Sequence, residues 1–439
     1  MKKSLVNVFK VKSLDEGSKR KTTKIFFVEN YLKENGEVEK KIRIQKKPLY
    51  TFHTSKPEYR NKLNVTFIEN YKTDTHTVEY DNLDNLVAKL TNQTNFVEKC
   101  INEKRFKDIR NIHSHPDLHL SDMDLEDYKI REWFENTKSE TIAQIPLRKS
   151  FFDIEVDSLH YGKFPDASEA KCPITMISYL HQPTMELHSF LLIVDKCEAQ
   201  KSFIENFDPS EYPKALIKEF NSEIIKSNEE STNVKQKLVT NVHIKFFDDE
   251  LDLIKSFFKT VHRDKPDYAL GWNLIFDLLT IKNRILRLGG IPEEIMSPSD
   301  FPYKQIWIEE DLKAADFSTR KSKLDVTGYT QFVCLQETFA SIRATAGKRE
   351  SYKLEDILLE EVGEGKFEYD GEISEAMYIN YESFFKYSLY DSFRLFQLEE
   401  KNKDVDLLHG LFHMTFTRVK KVMTKTTSIR NFAAKVIKD

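Results

Sequence analysis

The sequence predicts an α/β (α+β) protein, with a mixed sheet flanked by helices in its central part and a mixed, β-rich domain before it. Strand-like apolar runs open the central part at 151–156, 174–180, 187–194 and 243–247. A helical pattern at 250–261 follows, and then a short strand at 268–271 runs into another helix. Strands first, and then alternation with helices, indicate a mixed sheet covered by helices.

The length of 439 residues favours two or three domains rather than one. The character of the sequence changes near residue 149, where long apolar strand patterns begin. We therefore expect an N-terminal domain at 1–148, a central domain at 149–400 and a helical C-terminal segment at 401–439.

Composition favours a soluble, globular protein of a reducing compartment. Hydrophobic residues make up 40% of the chain, and 32 Phe and 18 Tyr are enough for sizeable cores. The four cysteines are scattered without a C-x-x-C pair, which disfavours a disulfide framework and favours the cytoplasm. No run approaches the roughly 20 apolar residues of a membrane span. The net charge of −4 leaves a nucleic-acid partner open, because a local basic patch suffices.

The N-terminal part predicts strands at 6–11, 23–28, 42–46 and 64–68 and a helix at 83–101. Between His113 and Asp124, three histidines and several acids have the composition of a metal cluster. Pro116 breaks any helix that would align the imidazoles, so we favour a solvated loop.

The remaining segments are assigned more coarsely. The stretch 203–236 is rich in Lys, Glu, Ser and Asn, which indicates a surface excursion without assigned chemistry. The last third predicts helices at 329–340, 354–359, 381–400 and 407–438.

Asp153 and Glu155 are the first candidates for chemistry. They lie two residues apart in an apolar strand pattern, so their side chains point to the same face while their neighbours pack on the other. Two adjacent carboxylates repel one another in such apolar surroundings, and a divalent metal is the usual remedy. The alternative, an edge strand with a polar outer face, is about as common for this pattern alone.

Two later stretches add further carboxylates. Asn273 and Asp277 lie four residues apart at a strand-to-helix junction, where α/β sheets gather ligands. Tyr387 and Asp391 are four apart in an amphipathic helix pattern, and a phenol there can orient a water beside a metal-bound carboxylate. Helix capping and an exposed polar stripe are the alternatives for these stretches when each is taken alone.

Taken together, the three stretches supply four acidic ligands from separate elements. Hard divalent ions prefer such oxygen ligands, and two metals can activate a water for phosphodiester hydrolysis. The stretch Gly363-Glu-Gly-Lys366 does not have the spacing of a phosphate-binding loop, and no Ser/His/Asp set offers a competing chemistry.

In this order, the stretches resemble the exonuclease motifs of the family B DNA polymerases, especially those of tailed phages. Phe152–Glu155 resembles the Exo I motif, Gly271–Asp277 the Exo II motif and Tyr387–Asp391 the Exo III motif. Further stretches that resemble the family lie at Phe164–Ile174, Asn283-Arg284, Ser351–Ile357 and Tyr369–Gly371.

The resemblance covers the N-terminal and 3′–5′ exonuclease domains of that family and implies a ribonuclease-H-like fold. It implies that Asp153, Glu155, Asp277 and Asp391 are catalytic and hold two Mg²⁺ or Mn²⁺ ions. It also implies that Tyr387 is catalytic, positioning the attacking water or the scissile phosphate.

The resemblance further implies a DNA substrate. Asn273 and Phe276 would lie near the terminal nucleotides of a single-stranded 3′ end or a primer–template, gripped partly by base stacking. The Exo II stretch departs from many members in having two residues, rather than three, between Asn273 and Phe276. Glu375 stands near the place where some phage members carry a lysine.

No stretch after Asp391 resembles the palm motifs of the family. We therefore expect half of a split polymerase, with palm, fingers and thumb on a separate polypeptide, or a free-standing exonuclease. A shortened piece of a longer polymerase would have the same sequence pattern. A non-catalytic DNA-binding scaffold for a polymerase chain is the alternative function. The basic, apolar tail at 418–438 suits either a partner-binding segment or a helix packed on its own domain.

Overall fold

The computed structural model describes residues 2–14, 21–55, 73–115, 118–161, 165–230, 236–311, 322–347, 349–367 and 372–436. The chain divides into two compact units, Met1–Ile145 with Leu408–Asp439, and Pro146–Leu407. The predicted strand at 64–68, the motif residues 369–371 and Phe164 lie outside the described residues.

The strands follow the predicted runs closely in the first half of the chain. In chain order they are β1 (Lys2–Leu14), β2 (Lys21–Leu32), β3 (Val38–Lys46), β4 (Leu49–Ser55), β5 (Thr73–Glu79), β6 (Leu118–His119), β7 (Lys149–Val156), β8 (Ile174–His181), β9 (Glu186–Leu192), β10 (Asn241–Phe247), β11 (Tyr268–Gly271), β12 (Ile306–Glu309), β13 (Lys323–Val326) and β14 (Gln331–Cys334).

The helices lie mainly after each group of strands. In chain order they are α1 (Leu83–Leu90), α2 (Thr94–Asn102), α3 (Phe106–Ile112), α4 (Leu125–Asn136), α5 (Glu198–Glu205), α6 (Tyr212–Glu230), α7 (Glu250–Asp264), α8 (Leu274–Arg287), α9 (Pro292–Met296), α10 (Leu335–Ile342), α11 (Leu354–Glu361), α12 (Ile373–Ile379), α13 (Tyr381–Asn402), α14 (Asp404–Thr415), α15 (Val419–Val422) and α16 (Lys425–Val436). Among the described residues, no helix combines the length and the apolar character that crossing a membrane requires.

The first unit is β-rich, as predicted. β1, β2 and β3 form an antiparallel sheet in that order, and β4 pairs with β5 and β6 in another. His113, from the histidine-rich stretch, is buried, and its ring nitrogens lie 2.8 Å from Ser121 O and 2.9 Å from Asp84 Oδ1. Both ring nitrogens of His113 therefore have protein partners, and the burial of this histidine needs no metal ion.

The C-terminal tail packs within the first unit. The guanidinium of buried Arg418 donates to Glu126 at 2.6 Å, to Asp124 at 3.0 Å and to Asp127 at 3.2 Å. The Asn431 amide in α16 also donates to Asp127, at 3.1 Å. Of the two alternatives for the tail, packing on its own domain is therefore the one seen for these residues.

The second unit contains the predicted mixed sheet, in the order β10-β9-β8-β7-β11-β14. β8 runs antiparallel to both of its neighbours, whereas β7 with β11, β11 with β14 and β9 with β10 are parallel. Helices α7 and α8 bury a shared core against the sheet, in which Phe152, Phe257 and Leu278 are fully buried. The architecture confirms the predicted mixed sheet flanked by helices.

Two predicted segments of the second unit differ from the observed structure. The helix expected at 329–340 begins only at Leu335, because Phe332 and Val333 extend the sheet as β14 beside β11. The stretch 203–236, expected as a surface excursion, contains the whole of α6. The apolar spacing of Leu216, Phe220 and Ile224 buries one face of α6, although charged residues surround them in the sequence.

Arg284 of α8 forms a buried hydrogen-bond network with the start of α7 and the segment that leads into β8. Its side chain donates to Glu250 at the start of α7, at 2.7 Å, and to the carbonyl of Ala170, at 3.0 Å. Glu250 also accepts the backbone N–H of Ile174, the first residue of β8, at 2.8 Å. Arg284 and Glu250 are each 7% exposed, so the pair is screened little by water.

We expect Arg284→Met to lower the free energy of unfolding by about 3–5 kcal/mol, because it leaves Glu250 as a buried charge without its partner. Urea denaturation measures this loss. Arg287→Met, one helical turn away and exposed, is the matched control and should cost less than about 0.5 kcal/mol. Equal stability of the two variants would contradict the prediction.

Candidate active site

Strand β7 presents two of the predicted carboxylates. Phe152 and Ile154 point into the core, at 0% and 7% exposure, while Asp153 and Glu155 alternate with them and are half-buried. The register between β7 and β8 shifts between Glu155 and Val156. The two acidic side chains therefore share one face of β7, as predicted, next to an irregularity in the sheet.

Helix α13 adds Asp391. The helix packs across β7 and β8, where the hydroxyls of Ser392 and Ser178 are 2.7 Å apart. Asp391 is 1% exposed, and carboxylate oxygens of Asp391, Asp153 and Glu155 all lie within 4.8 Å of one another. Residues from the first and third predicted stretches therefore meet in one cluster.

Asp277 enters from the first turn of α8, directly after β11. A Cβ at Gly271, the last residue of β11, would lie 3.1 Å from Phe152 O and 3.4 Å from Asp277 Oδ2, so only glycine leaves this approach unstrained. The Asp277 carboxylate therefore lies next to the Phe152 carbonyl of β7, beside the cluster. Asp277 is 5% exposed. Burial and then the charge of Asp153 raise the pKa of Asp277 well above its usual value.

A lysine to which the sequence analysis assigned no role, Lys366, faces these acids. Lys366 Nζ donates to Asp391 Oδ2 at 2.6 Å and lies 2.7 Å from the Tyr387 hydroxyl. Burial lowers the pKa of Lys366, but the charges of Asp391 and Asp153 outweigh burial and raise it overall. The ammonium therefore keeps its proton inside the protein.

Tyr387 and Asp391 share a face of α13, as their spacing predicted, and Tyr387 is 7% exposed. Burial raises the pKa of Asp391, and the Lys366 ammonium together with hydrogen bonds from Lys366 and Tyr387 opposes that rise. The phenol is thus part of the same hydrogen-bonded group.

Crowding of the carboxylates disfavours their ionised forms. Burial and then the charge of Asp391 raise the pKa of Asp153 to about 7. Burial and then the charge of Asp153 raise the pKa of Glu155 well above its usual value. All of these carboxylates can be ionised together only when further positive charge lies beside them.

A sequence profile of the DNA polymerase family B exonuclease domain matches residues 65–357, more than half of the chain. The chain belongs to this family. A relative, the DNA-directed DNA polymerase of Escherichia phage RB69, is 24% identical over 298 residues, which make up 66% of this chain and 30% of that protein. The predicted resemblance to phage-type family B polymerases is confirmed, and the chain spans about a third of this relative's length.

The matched range of this family B exonuclease domain contains Asp153, Glu155 and Asp277, whereas Tyr387 and Asp391 lie after it. The fold nevertheless gathers all five residues. Their assignment to catalysis remains a prediction.

The carboxylates of this family B exonuclease domain fit divalent metal ions. Glu155 Oε1, Asp277 Oδ2 and Asp391 Oδ1 are buried and have no hydrogen-bond partner among the described residues. Unsatisfied carboxylate oxygens are costly inside a protein. Hard ions such as Mg²⁺ and Mn²⁺ accept oxygen donors of this kind, so the residues present suit the metals that were expected.

The predicted substrate-contacting residues lie at the start of α8. Asn273 directly precedes the helix, is exposed and makes no capping hydrogen bond with its side chain. Phe276 is half-buried in the first turn. Glu375 is exposed in α12. The roles of Asn273 and Phe276 at the substrate stay predictions.

The loop that carries Lys366 is held by two helices. Glu355 of α11 accepts the backbone N–H of Lys366 at 2.6 Å. Arg394 of α13 donates to the carbonyl of Gly365 at 3.2 Å and pairs with Glu364 at 3.0 Å. The ammonium is therefore positioned by contacts to the backbone of Lys366 and to the two residues before it.

Helix α6 supports α13 in turn. Glu219 accepts hydrogen bonds from the Tyr390 hydroxyl at 3.1 Å and from Lys386 at 3.0 Å, and Glu223 pairs with Arg394 at 2.8 Å. A segment rich in surface residues thus contributes to the placement of the site. The sequence analysis did not predict this role of α6, because only three apolar residues, Leu216, Phe220 and Ile224, form its buried face.

Without divalent metal, we expect stability to fall as the pH rises from about 4 to about 7. The pKa of Asp153 is about 7 in the folded protein and 3.8 ordinarily, so the folded state holds a proton that the unfolded state has released. This contribution is complete below pH about 4 and is lost as the pH rises through about 7. Urea unfolding in EDTA between pH 4 and 8 measures it.

Asp153→Asn should make this pH dependence shallower, because the amide does not titrate and the charge that raises the pKa values of Glu155 and Asp277 is lost. Asp195→Asn, at an exposed aspartate, is the control and should keep the pH dependence of the parent. If the stability of Asp153→Asn and of the parent depended on pH in the same way, Asp153 would not hold the proposed proton in the folded state.

Proposed function

We propose that this chain hydrolyses DNA from the 3′ end with the help of divalent metal ions, as the proofreading exonuclease of a family B DNA polymerase. Membership of the family supports the exonuclease activity. The observation that carries the finer statement is the convergence of the acids from three separate stretches in one enclosed site beside Lys366.

Asp153, Glu155, Asp277 and Asp391 would hold two Mg²⁺ or Mn²⁺ ions. Their unpartnered buried oxygens are the donors that support this assignment. When bound, such a pair of ions supplies an activated water and stabilises the charge on the leaving oxygen of a phosphodiester.

Besides the metal ligands, Lys366 and Tyr387 are the side chains that would act on the substrate. The Lys366 ammonium, held by Asp391 at 2.6 Å, places fixed positive charge where the phosphate gains negative charge during hydrolysis. The Tyr387 hydroxyl, held by Lys366 at 2.7 Å, orients the attacking water or the scissile phosphate. Both groups are positioned before substrate arrives, so little reorganisation is needed.

The proposed substrate is the single-stranded 3′ end of a DNA strand, as in a frayed primer–template. Asn273 is exposed beside the start of α8 and suits hydrogen bonding to a nucleotide. Phe276, half-buried one turn on, suits stacking against a base.

We further propose that the chain works with a separate polypeptide that carries palm, fingers and thumb. The relative is a DNA-directed DNA polymerase, and the match covers 30% of its length, so its polymerase activity is not carried over to this chain. A purely DNA-binding scaffold, the alternative, is less well supported, because DNA binding alone does not account for buried carboxylate oxygens without partners.

Replacement of both Asp153 and Glu155 by Ala should lower the rate of nucleotide release by at least about 10³-fold, since two proposed metal ligands are lost. The assay follows shortening of a 5′-labelled, 3′-mismatched DNA in Mg²⁺. Asp195→Ala, at an exposed aspartate, should match the parent. A double variant that is folded by circular dichroism and fully active would refute the site.

Lys366→Ala should lower kcat by about 10²-fold while leaving the fold intact in Mg²⁺, because a preorganised charge beside the phosphate is lost. Lys366→Arg keeps the charge and should recover part of the rate. The control is Lys353→Ala, at an exposed lysine just before α11. A kcat unchanged in Lys366→Ala would show that the ammonium serves folding alone.

A further inference from the structure

A cluster of metal-ligating side chains lies away from the carboxylates, on strands β9 and β10. Glu186 and His188 are two residues apart on β9, so they share one face of the sheet. β10 runs parallel to β9, with His243 directly opposite His188 in the register. The pairing of the strands therefore brings the three side chains together.

The ligand atoms of these residues all lie within 4.8 Å of one another. His243 Nε2 is 3.8 Å from Glu186 Oε1, too far for a hydrogen bond. Bonds from zinc to nitrogen or oxygen are about 2.0–2.2 Å, so one ion joins atoms up to roughly 4 Å apart. Small rotations of the two half-buried side chains, Glu186 and His243, bring the whole set within that reach.

His188 gives the second, independent indication. It is 2% exposed, and neither ring nitrogen has a hydrogen-bond partner among the described residues. Its ring stacks on that of His243, at 4.5 Å between centroids, and lies 5.9 Å from the ring of Tyr179. An ion pair between Glu186 and His243 would leave both nitrogens of His188 unsatisfied, whereas a metal would use one of them.

The surroundings also suit a bound ion. Thr184 Oγ1 donates to Glu186 Oε2 at 3.2 Å, which orients the carboxylate from outside the ligand set. Two positively charged side chains, Arg263 and Lys245, lie near His188. Each is held by a contact outside the proposed ligand set. Arg263 pairs with Asp264 at 2.7 Å, and Lys245 lies over the ring of Phe190, at 5.8 Å.

We propose that Glu186, His188 and His243 bind one divalent transition-metal ion of the Zn²⁺ type. Two imidazoles and one carboxylate are donors that zinc and its neighbours prefer over Mg²⁺. The ion would join the edge strand β10 to β9. This site is independent of the proposed nuclease centre, because it shares no residue with it.

The test is Zn²⁺ binding to the full chain in a large excess of Mg²⁺, which occupies the carboxylate centre. Equilibrium dialysis with metal analysis should find one bound Zn²⁺ in the parent. His243→Asn and Glu186→Gln, at partly exposed positions, should each weaken binding at least about tenfold. Both variants should keep the nuclease activity of the parent.

His53→Asn is the matched control, because it removes an imidazole from a strand of the other unit. It should bind Zn²⁺ as the parent does, and so should Asp153→Ala. The proposal is overturned if the parent retains no Zn²⁺ in excess Mg²⁺, or if His243→Asn binds it with unchanged affinity. Loss of binding in Asp153→Ala would likewise assign the ion to the carboxylate centre instead.

Discussion

The central constraint on this exonuclease domain is the enclosure of several carboxylates in a space too small for their charges. Burial raises the pKa values of Asp153, Glu155, Asp277 and Asp391, the charges of neighbouring acids add to the rise, and Lys366 opposes part of it. A cluster of buried carboxylates is stable only where rigid elements hold the side chains in place and a cation balances their charge. The sheet, the buried helix α13 and the loop braced by Glu355 and Arg394 can be understood as parts that meet this requirement.

Much of this arrangement could be predicted from the sequence. The alternation in 151–156 placed Asp153 and Glu155 on one face of a strand, and the spacing of four placed Tyr387 and Asp391 on one face of a helix. These are local periodicities, which depend on backbone geometry alone. The mixed sheet flanked by helices was predicted from the same kind of pattern and is confirmed.

What the sequence could not predict depends on contacts between distant residues. Lys366 stands in a short loop without periodicity, and its place beside Asp391 follows from hydrogen bonds to α11 and α13. His188 and His243 meet only because β9 and β10 pair in one register, with α5 and α6 between them in the chain. Residues 331–334 were predicted as helix, but they pair with β11 as strand β14, a long-range contact that the local pattern does not reveal.

The wide separation of the acidic residues along the chain has a consequence for biosynthesis. β7 leaves the ribosome long before α13, so Asp153 and Glu155 at first lack both the neighbours that crowd them and the lysine that balances them. In the unfinished chain they are ordinary, hydrated acids. The proposed nuclease centre therefore exists only once the last long helix of its unit has docked, and the nascent protein passes through synthesis without it.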